Sequence, residues 1–258
     1  MPRRTTALAA ALSLLPLGQP LLLGSTTALA TAAVVLSTKA ADAQSAAFFI
    51  NRGRAKFKNG DYQGVLADLN KAIQINPQDA DTYTSLSGTK LNLGDNRGAL
   101  NDANQSIEIN PKDSIAYSNR GSAKNNLKDY QGAIADFTKA IEINPQYGDA
   151  YNNRGNTKRK SGDTQGAIAD YGKAIAINPQ YALAYYSRGI AKSKLKEFQG
   201  AITDYTMAIE INPQYANAYV NRGIDRELAN DLEGACDDWR KAVDLGKERP
   251  AEWMKKQC

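Results

Sequence analysis

The sequence predicts an all-α fold built from six copies of one helix pair. The main observation is a set of five prolines that stand 34 residues apart, each at the end of a similar apolar run. A fixed period of this length is typical of stacked helical repeats. The prolines are Pro77, Pro111, Pro145, Pro179 and Pro213. Alignment on them gives six consecutive units, without insertions, at 46–79, 80–113, 114–147, 148–181, 182–215 and 216–249.

The first half of each unit has the pattern of a helix that packs closely against a neighbour. An aromatic residue at the fourth position is followed, one helical turn later, by a small residue at the eighth, so both lie on one face. The aromatic residues are Phe49, Tyr83, Tyr117, Tyr151, Tyr185 and Tyr219. The small residues are Gly53, Ser87, Gly121, Gly155, Gly189 and Gly223. We expect a second helix to approach the first at these small residues.

The second half of each unit carries start and stop signals for another helix. An acidic residue precedes it, where a carboxylate can accept hydrogen bonds from free backbone amides and favours the positive helix end. These residues are Asp61, Asp95, Asp129, Asp163, Glu197 and Asp231. At the other end, proline disfavours helical conformation in the preceding asparagine. Each helix is therefore about a dozen residues long and depends on its neighbours for stability.

This spacing of large and small residues resembles the tetratricopeptide repeat over residues 46–249. The resemblance implies a right-handed superhelical solenoid of six helix-turn-helix units, whose first helices line a concave groove. The ending, with Trp239, Trp253 and Cys258, resembles that of exported bacterial members of the family, of cyanobacterial type. It implies that residues 250–258 form a C-terminal capping helix over the last unit.

Charged residues recur at fixed positions in the units. The seventh and eleventh positions are mostly basic and lie on one face of the first helix, and each second helix carries an aspartate. The basic residues are Arg52, Lys56, Lys90, Arg120, Lys124, Arg154, Lys158, Arg188, Lys192, Arg222 and Arg226, and the acids are Asp68, Asp102, Asp136, Asp170, Asp204 and Asp238. One interpretation is a basic surface for an anionic partner. The other, which we favour, is internal pairing that joins the helices of every unit.

Residues 1–43 differ from the repeats in composition. After Arg3 and Arg4 no charge appears until Lys39, and the stretch is rich in alanine, leucine and valine. We predict a signal peptide cleaved after residues 41–43, with residues 28–30 as a second candidate cleavage site. The alternative is an uncleaved membrane anchor, although prolines and glycines leave an apolar run shorter than the ~20 residues that span a bilayer.

Composition argues against catalysis and against nucleic-acid binding. The chain has no histidine, which removes the commonest general base and metal ligand. Acidic and basic residues are interleaved at a net charge of +5, so there is no basic patch for nucleic acid. We predict a non-enzymatic protein without cofactor or metal.

The resemblance places the residues that contact a partner at variable positions of the first helices. Units 3 and 4 are polar there, whereas units 5 and 6 are mostly apolar. The predicted partner-binding groove consists of Asn125, Asn152, Asn156, Arg159, Leu183, Tyr186, Ile190, Lys194, Val220 and Ile224. This gradient suits an extended peptide with one polar and one apolar end. Variation of the groove without any ligand is the alternative interpretation.

The two cysteines of the chain, Cys236 and Cys258, lie in the last unit and the capping segment. If the protein is exported they are expected to form a disulfide, and otherwise to remain two unpaired thiols.

Together these features predict a protein–protein interaction scaffold outside the cytoplasm, in a bacterial periplasm or a thylakoid lumen. It would bind a protein or an extended peptide in the groove and assist the assembly of a complex. The alternative is a membrane-tethered structural organiser that uses the outer helix face. Membrane association is expected only if residues 1–43 are not cleaved.

Overall fold

The structure, a computed structural model, describes residues 45–258 and shows helices joined by short turns, without a strand in that range. The predicted signal peptide and the alternative membrane anchor lie outside the described residues. The helices are α1 (45–58), α2 (Tyr62–Ile75), α3 (Ala80–Asn92), α4 (Asn96–Ile109), α5 (Ser114–Asn126), α6 (Tyr130–Ile143), α7 (Gly148–Ser161), α8 (Thr164–Ile177), α9 (Ala182–Lys194), α10 (Phe198–Ile211), α11 (Ala216–Leu228), α12 (Leu232–Asp244) and α13 (Arg249–Gln257). The all-helical solenoid of helix pairs predicted from the sequence is confirmed.

The aspartates before the second helices act as N-caps, as predicted. The Oδ1 atom of Asp129 accepts a hydrogen bond from the backbone N–H of Gly132 at 2.9 Å. The same bond is formed at Asp61–Gly64, Asp95–Gly98, Asp163–Gly166 and Asp231–Gly234. The cap carboxylate occupies the place where a Cβ of the glycine would stand. Glu197 is the exception and forms no side-chain cap hydrogen bond.

The turn between the two helices of each unit requires a left-handed backbone at its fifteenth position. Glycine adopts this conformation at Gly60, Gly94 and Gly162, with φ between 75° and 101°. In the other units the position is held by Lys128, Lys196 and Asn230, with φ of 67°, 63° and 64°. An L-residue other than glycine pays a steric cost there.

The first helices of successive units lie closer together than the second helices do. Helix α3 contacts α5, and the same contact continues from α5 to α7, α9 and α11, whereas successive second helices in the described range touch at most marginally. In a curved stack the elements that lie closer together are on the inner side. The first helices therefore line the concave face, which forms the groove.

In units 3 to 6 the core pairs one small residue of the first helix with one aromatic residue of the second. Phe137, Tyr171, Tyr205 and Trp239 are at most 1% exposed. Each of these rings lies against the small residue at the eighth position of the facing first helix, so that a Cβ on Gly121 would stand 3.0 Å from Phe137. The predicted close approach of the two helices is confirmed. No helix among residues 45–258 has the length and apolar character needed to cross a membrane.

The recurring charges pair within the protein, which confirms the interpretation that we favoured. Arg154 donates from Nε and Nη2 to the two oxygens of Asp170 at 2.9 and 2.7 Å, and Lys158 lies 2.9 Å from the same carboxylate. The third nitrogen of Arg154 donates to Thr138 of the preceding unit at 3.0 Å. This ion cluster therefore joins three helices. Corresponding clusters surround Asp68, Asp136, Asp204 and Asp238.

The second unit has an incomplete cluster because Leu86 replaces the arginine. Asp102 is paired with Lys90 alone, at 2.7 Å, and burial raises the pKa of its carboxyl group. In the first unit, by contrast, the hydrogen bonds from Arg52 and Lys56 hold the pKa of Asp68 well below its usual range.

Replacing Lys196 by glycine should raise the free energy of unfolding by up to about 1 kcal/mol, because glycine has no steric cost in a left-handed turn. The reverse change, Gly162→Ala, should lower it by about the same amount, since its neighbourhood is open and only the backbone conformation opposes a side chain. Thermal unfolding followed by circular dichroism measures both. Equal melting temperatures for Lys196→Gly and the parent protein would show that the left-handed backbone at Lys196 has no steric cost.

The Asp170→Ala substitution should lower the free energy of unfolding by about 3 kcal/mol, because it leaves Arg154 and Lys158 without their shared partner in a largely buried cluster. The control is Asp237→Ala, which removes an exposed pair with Arg240 and should cost less than about 0.5 kcal/mol. Urea unfolding midpoints compare the two. Similar midpoints would show that the clusters do not hold the array together.

Candidate functional site: the concave groove

The predicted polar residues of unit 4 meet in the centre of the groove. Helix α7 carries Asn152, Asn156 and Arg159, and Tyr171 of α8 lies beneath them. The hydroxyl of Tyr171 donates to Oδ1 of Asn156 at 2.8 Å, and burial raises the pKa of this phenol despite the neighbouring Arg159. Tyr171 therefore brings Asn156 and Arg159 together, and Asn152 lies one turn earlier on the same helix.

Two buried polar atoms of this cluster have no hydrogen-bond partner among the described residues. They are Oδ1 of Asn152, whose residue is 1% exposed, and Nε of Arg159. Leaving such an atom unpaired costs about 1–3 kcal/mol. A carbonyl acceptor and a charged donor therefore lie unpaired beneath the surface of the groove.

Asn125 of unit 3 lies further along the groove and links two first helices. Its Oδ1 accepts from Nζ of Lys160 at 3.2 Å, and Thr157 of the same helix approaches it at 3.5 Å. This contact crosses from α5 to α7. It links neighbouring first helices, and Nδ2 of Asn125 donates to Asn126 at 3.3 Å.

Of the apolar residues predicted in units 5 and 6, Tyr186, Ile190 and Ile224 lie beside Tyr205. Tyr186 packs on Tyr205 and Tyr215 with ring centroids 5.8 and 4.7 Å apart, and its hydroxyl accepts from Nδ2 of Asn221 at 3.1 Å. Ile190 and Ile224 line a cavity of about 230 Å³ beside it. The structure brings Tyr186, Ile190 and Ile224 together as one patch.

Three other predicted residues lie outside that cavity. Val220 packs against the buried cluster that contains Tyr219, and it contributes to the core. Leu183 is 43% exposed near the start of α9. Lys194, at the end of the same helix, is also exposed.

Sequence reasoning missed a second and larger part of the groove, in units 1 to 3. A mainly apolar cavity of about 500 Å³ lies there. Its walls include Ile50, Phe57, Leu91 and Ile115, and Arg54 stands at its edge. Phe57 and Ile115 are about half exposed, at 46% and 51%. The signal was present in the sequence, since Phe57 and Leu91 occupy the same variable position of units 1 and 2.

Sequence reasoning also missed Asp225 and Ser193, which line the cavity in units 5 and 6. The signal for Asp225 was its place in the unit, because the corresponding residues are Ala55, Thr89, Ala123, Thr157 and Ala191.

At the end of the array, Cys236 of α12 and Cys258 of α13 are joined by a disulfide. Trp253 of α13 packs against Trp239 with ring centroids 5.5 Å apart. Helix α13 therefore covers the face that a seventh unit would otherwise occupy.

Among residues 45–258 no group of histidine, cysteine or acidic side chains has the arrangement of a metal site. The fold and the groove define an all-helical repeat solenoid of the kind that binds other proteins. The chain belongs to the tetratricopeptide repeat family. Models of that family match residues 46–79, 114–147, 137–169 and 182–215, and one described as TPR repeat matches residues 155–196. Together they cover more than half of the sequence, and no family of enzymes is among the matches.

Several solved structures share the fold. A crystal structure of MamA is 25% identical over 64% of this chain and 91% of its own, with a TM-score of 0.57. YrrB, described as a TPR protein with an unusual peptide-binding site, is 22% identical over 73% of this chain and 97% of its own, with a TM-score of 0.59. PilW, described as a widely conserved type IV pilus biogenesis factor, is 17% identical over 82% and 99%, with a TM-score of 0.74. No curated protein matches the chain significantly. The family and these neighbours support a protein–protein interaction scaffold.

Proposed function

We propose that this protein is a non-enzymatic scaffold that holds an extended segment of a partner protein in the concave groove. The observation that carries the proposal is the contrast between the groove and the charged face. The arginine and lysine side chains that recur from unit to unit are paired with aspartates inside the protein. The groove, in contrast, has two cavities and a central cluster with unpaired polar atoms. A site with apolar pockets and a few fixed polar groups suits a ligand that carries both apolar and polar groups along its length.

An extended peptide satisfies these features in order along the array. Its backbone pairs with the partly exposed side chains of Asn156 and Arg159 in unit 4. A long side chain with an apolar stem on one side of that point enters the cavity beside Ile190, and an apolar side chain on the opposite side enters the cavity beside Phe57. Pockets for separate side chains give specificity, and contacts to the main chain give affinity.

The neighbours are consistent with this role. The peptide-binding description of YrrB supports a groove that accepts a peptide, and the description of PilW as a biogenesis factor supports participation in assembly. We propose that the protein here contributes to assembling or holding a larger complex in the same manner, by keeping a segment of one component bound.

The double substitution Tyr186→Ala with Ile190→Ala should abolish capture of the partner from an extract of the native cell, since it removes the apolar patch of units 5 and 6. Capture is measured by affinity purification and mass spectrometry of proteins enriched by the parent chain. Because Tyr186 packs on two other tyrosines, Ile190→Gln with Ile224→Gln serves as a second variant that keeps the aromatic contacts.

The matched control is Lys173→Ala with Leu232→Ala, which changes two exposed residues of second helices. It should leave capture unchanged. If the control abolishes capture and the groove variants do not, the contacts are made by the outer face and the groove assignment is wrong.

We also propose that the protein acts outside the cytoplasm, in a periplasm or a thylakoid lumen. The composition of residues 1–43 and the disulfide between Cys236 and Cys258 support this location, because disulfides persist in oxidising compartments. Partners would then be other extracytoplasmic proteins.

The intact mass of the protein purified without reduction from its own cell should equal residues 44–258 minus two hydrogens. That mass reports removal of the signal peptide and formation of the disulfide in one measurement. Fractionation of the same cells provides the compartment. A full-length mass with two free thiols in the cytosolic fraction would contradict the proposed location, and a full-length product in the membrane fraction would favour the anchor.

A further inference from the structure

The cavity in units 5 and 6 has a polar end as well as an apolar one. It lies between the first helices α9 and α11, and Tyr205 of α10 contributes to its lining. Ile190 and Ile224 provide the apolar walls, while Ser193, Asn221 and Asp225 provide the polar surface. At about 230 Å³ it has room for one long side chain of a bound partner.

Asp225 is a buried acid without a counterion. The residue is 1% exposed, and Oδ1 accepts a hydrogen bond from the hydroxyl of Ser193 at 2.7 Å. Oδ2 is buried without a hydrogen-bond partner, and Asp225 takes part in no ion pair within the described range. Burial raises the pKa of this carboxyl group. Units 1, 3 and 5 have alanine at the same place, so stacking of the repeats does not require an acid there.

We infer that this cavity receives a lysine side chain of the segment bound in the groove, with its ammonium group on Oδ2 of Asp225. The inference rests on the proposed function and adds the chemistry of one partner residue. The methylene groups of the lysine lie between Ile190 and Ile224. The ammonium group, which has three N–H donors, then finds the carboxylate and the neighbouring oxygens of Tyr205 and Asn221. A charge-assisted hydrogen bond supplies the partner that Asp225 lacks.

The geometry of the acid favours ammonium over guanidinium. An arginine pairs best with both oxygens of a carboxylate at once, in a planar fork. Here Ser193 already donates to Oδ1, so an arginine fork would share that oxygen with the serine hydroxyl, whereas a single ammonium donor needs only Oδ2. The compact charge of lysine therefore suits the narrow cavity.

The same residue gives the bound segment a direction. Arg159 in unit 4 provides a cation with an unpaired donor, and Asp225 in unit 6 provides an anion. A segment whose lysine lies at unit 6 and whose polar or acidic part lies at unit 4 is attracted at both ends. The reversed segment is repelled at both.

Binding of small probes to the full protein tests the inference without knowledge of the partner. The charged probes are N-acetyl-lysine methylamide and butylammonium, and the uncharged controls of similar shape are N-acetyl-norleucine methylamide and butanol. Titrations are followed by NMR of isoleucine methyl groups, in which Ile190 and Ile224 report on the cavity and Ile115 reports on the distant groove. Both charged probes should bind at least about tenfold more tightly than their controls, and N-acetyl-arginine methylamide should bind more weakly than the lysine probe.

The Asp225→Asn variant keeps the shape of the side chain and should lose the preference for charge. Its melting temperature at neutral pH should equal or exceed that of the parent, because an acid whose folded-state pKa is raised destabilises the fold above its unfolded pKa. Asp225→Ala, which copies three other units, provides a second folded variant with the same expectation.

Equal binding of the lysine and norleucine probes, absence of binding by both cations, or a preference that survives in Asp225→Asn would overturn the inference. Binding of butylammonium with exclusion of the lysine probe would assign the cavity to a free amine and would also overturn it. The capture experiment tests the proposed function separately. If the probes show no preference for charge but the groove variants lose capture, the proposed function stands and only the lysine inference fails. If the probes show the preference but the groove variants retain capture, the cation site stands and the proposed function fails.

Discussion

In each complete unit a buried aspartate of the second helix binds two cations of the first, and the arrangement of the groove depends on this ion cluster. The arginine of the cluster also lies over the aromatic ring three residues earlier, as in Arg154 and Tyr151, whose guanidinium carbon is 5.5 Å from the ring centroid. Where the arginine reaches the preceding unit it fixes the spacing between units. Arg120 donates a hydrogen bond to Asn104 of the preceding unit, and Arg222 donates one to Thr206.

A buried ion pair need not stabilise a fold relative to an apolar pair of the same size, but it is costly to break and it tolerates only one geometry. In a solenoid this property has a particular use. Each unit contacts only its neighbours, so a small error in one interface would be repeated along the array. In every unit except the second, a carboxylate that accepts from two nitrogens of an arginine defines the angle between the two helices. The first helices are thereby held in a defined row, and their remaining surface is free to vary.

Much of this arrangement could be predicted from the sequence, because it depends on contacts that every unit repeats. The period, the aspartate caps, the glycines beneath the aromatic rings and the internal pairing follow from residues that recur at fixed positions. The capping exception at Glu197 did not follow, since a longer side chain changes the cap geometry locally. The cavity of units 1 to 3 was missed because it depends on how the non-repeated residues Ile50, Phe57, Leu91 and Ile115 diverge across three units. Their shared space exists only in the stacked structure.

Asp225 illustrates the same division between repeated and variable positions. The sequence shows that an acid stands where other units have alanine or threonine, but it does not show whether a cation meets it. The structure supplies Ser193 as a partner for one oxygen and leaves the other without one. An unpaired buried carboxylate lowers stability at neutral pH, and the array has alanine available as a replacement that fits. A residue that weakens the fold and serves no repeated contact is better explained by what binds to it than by what it supports.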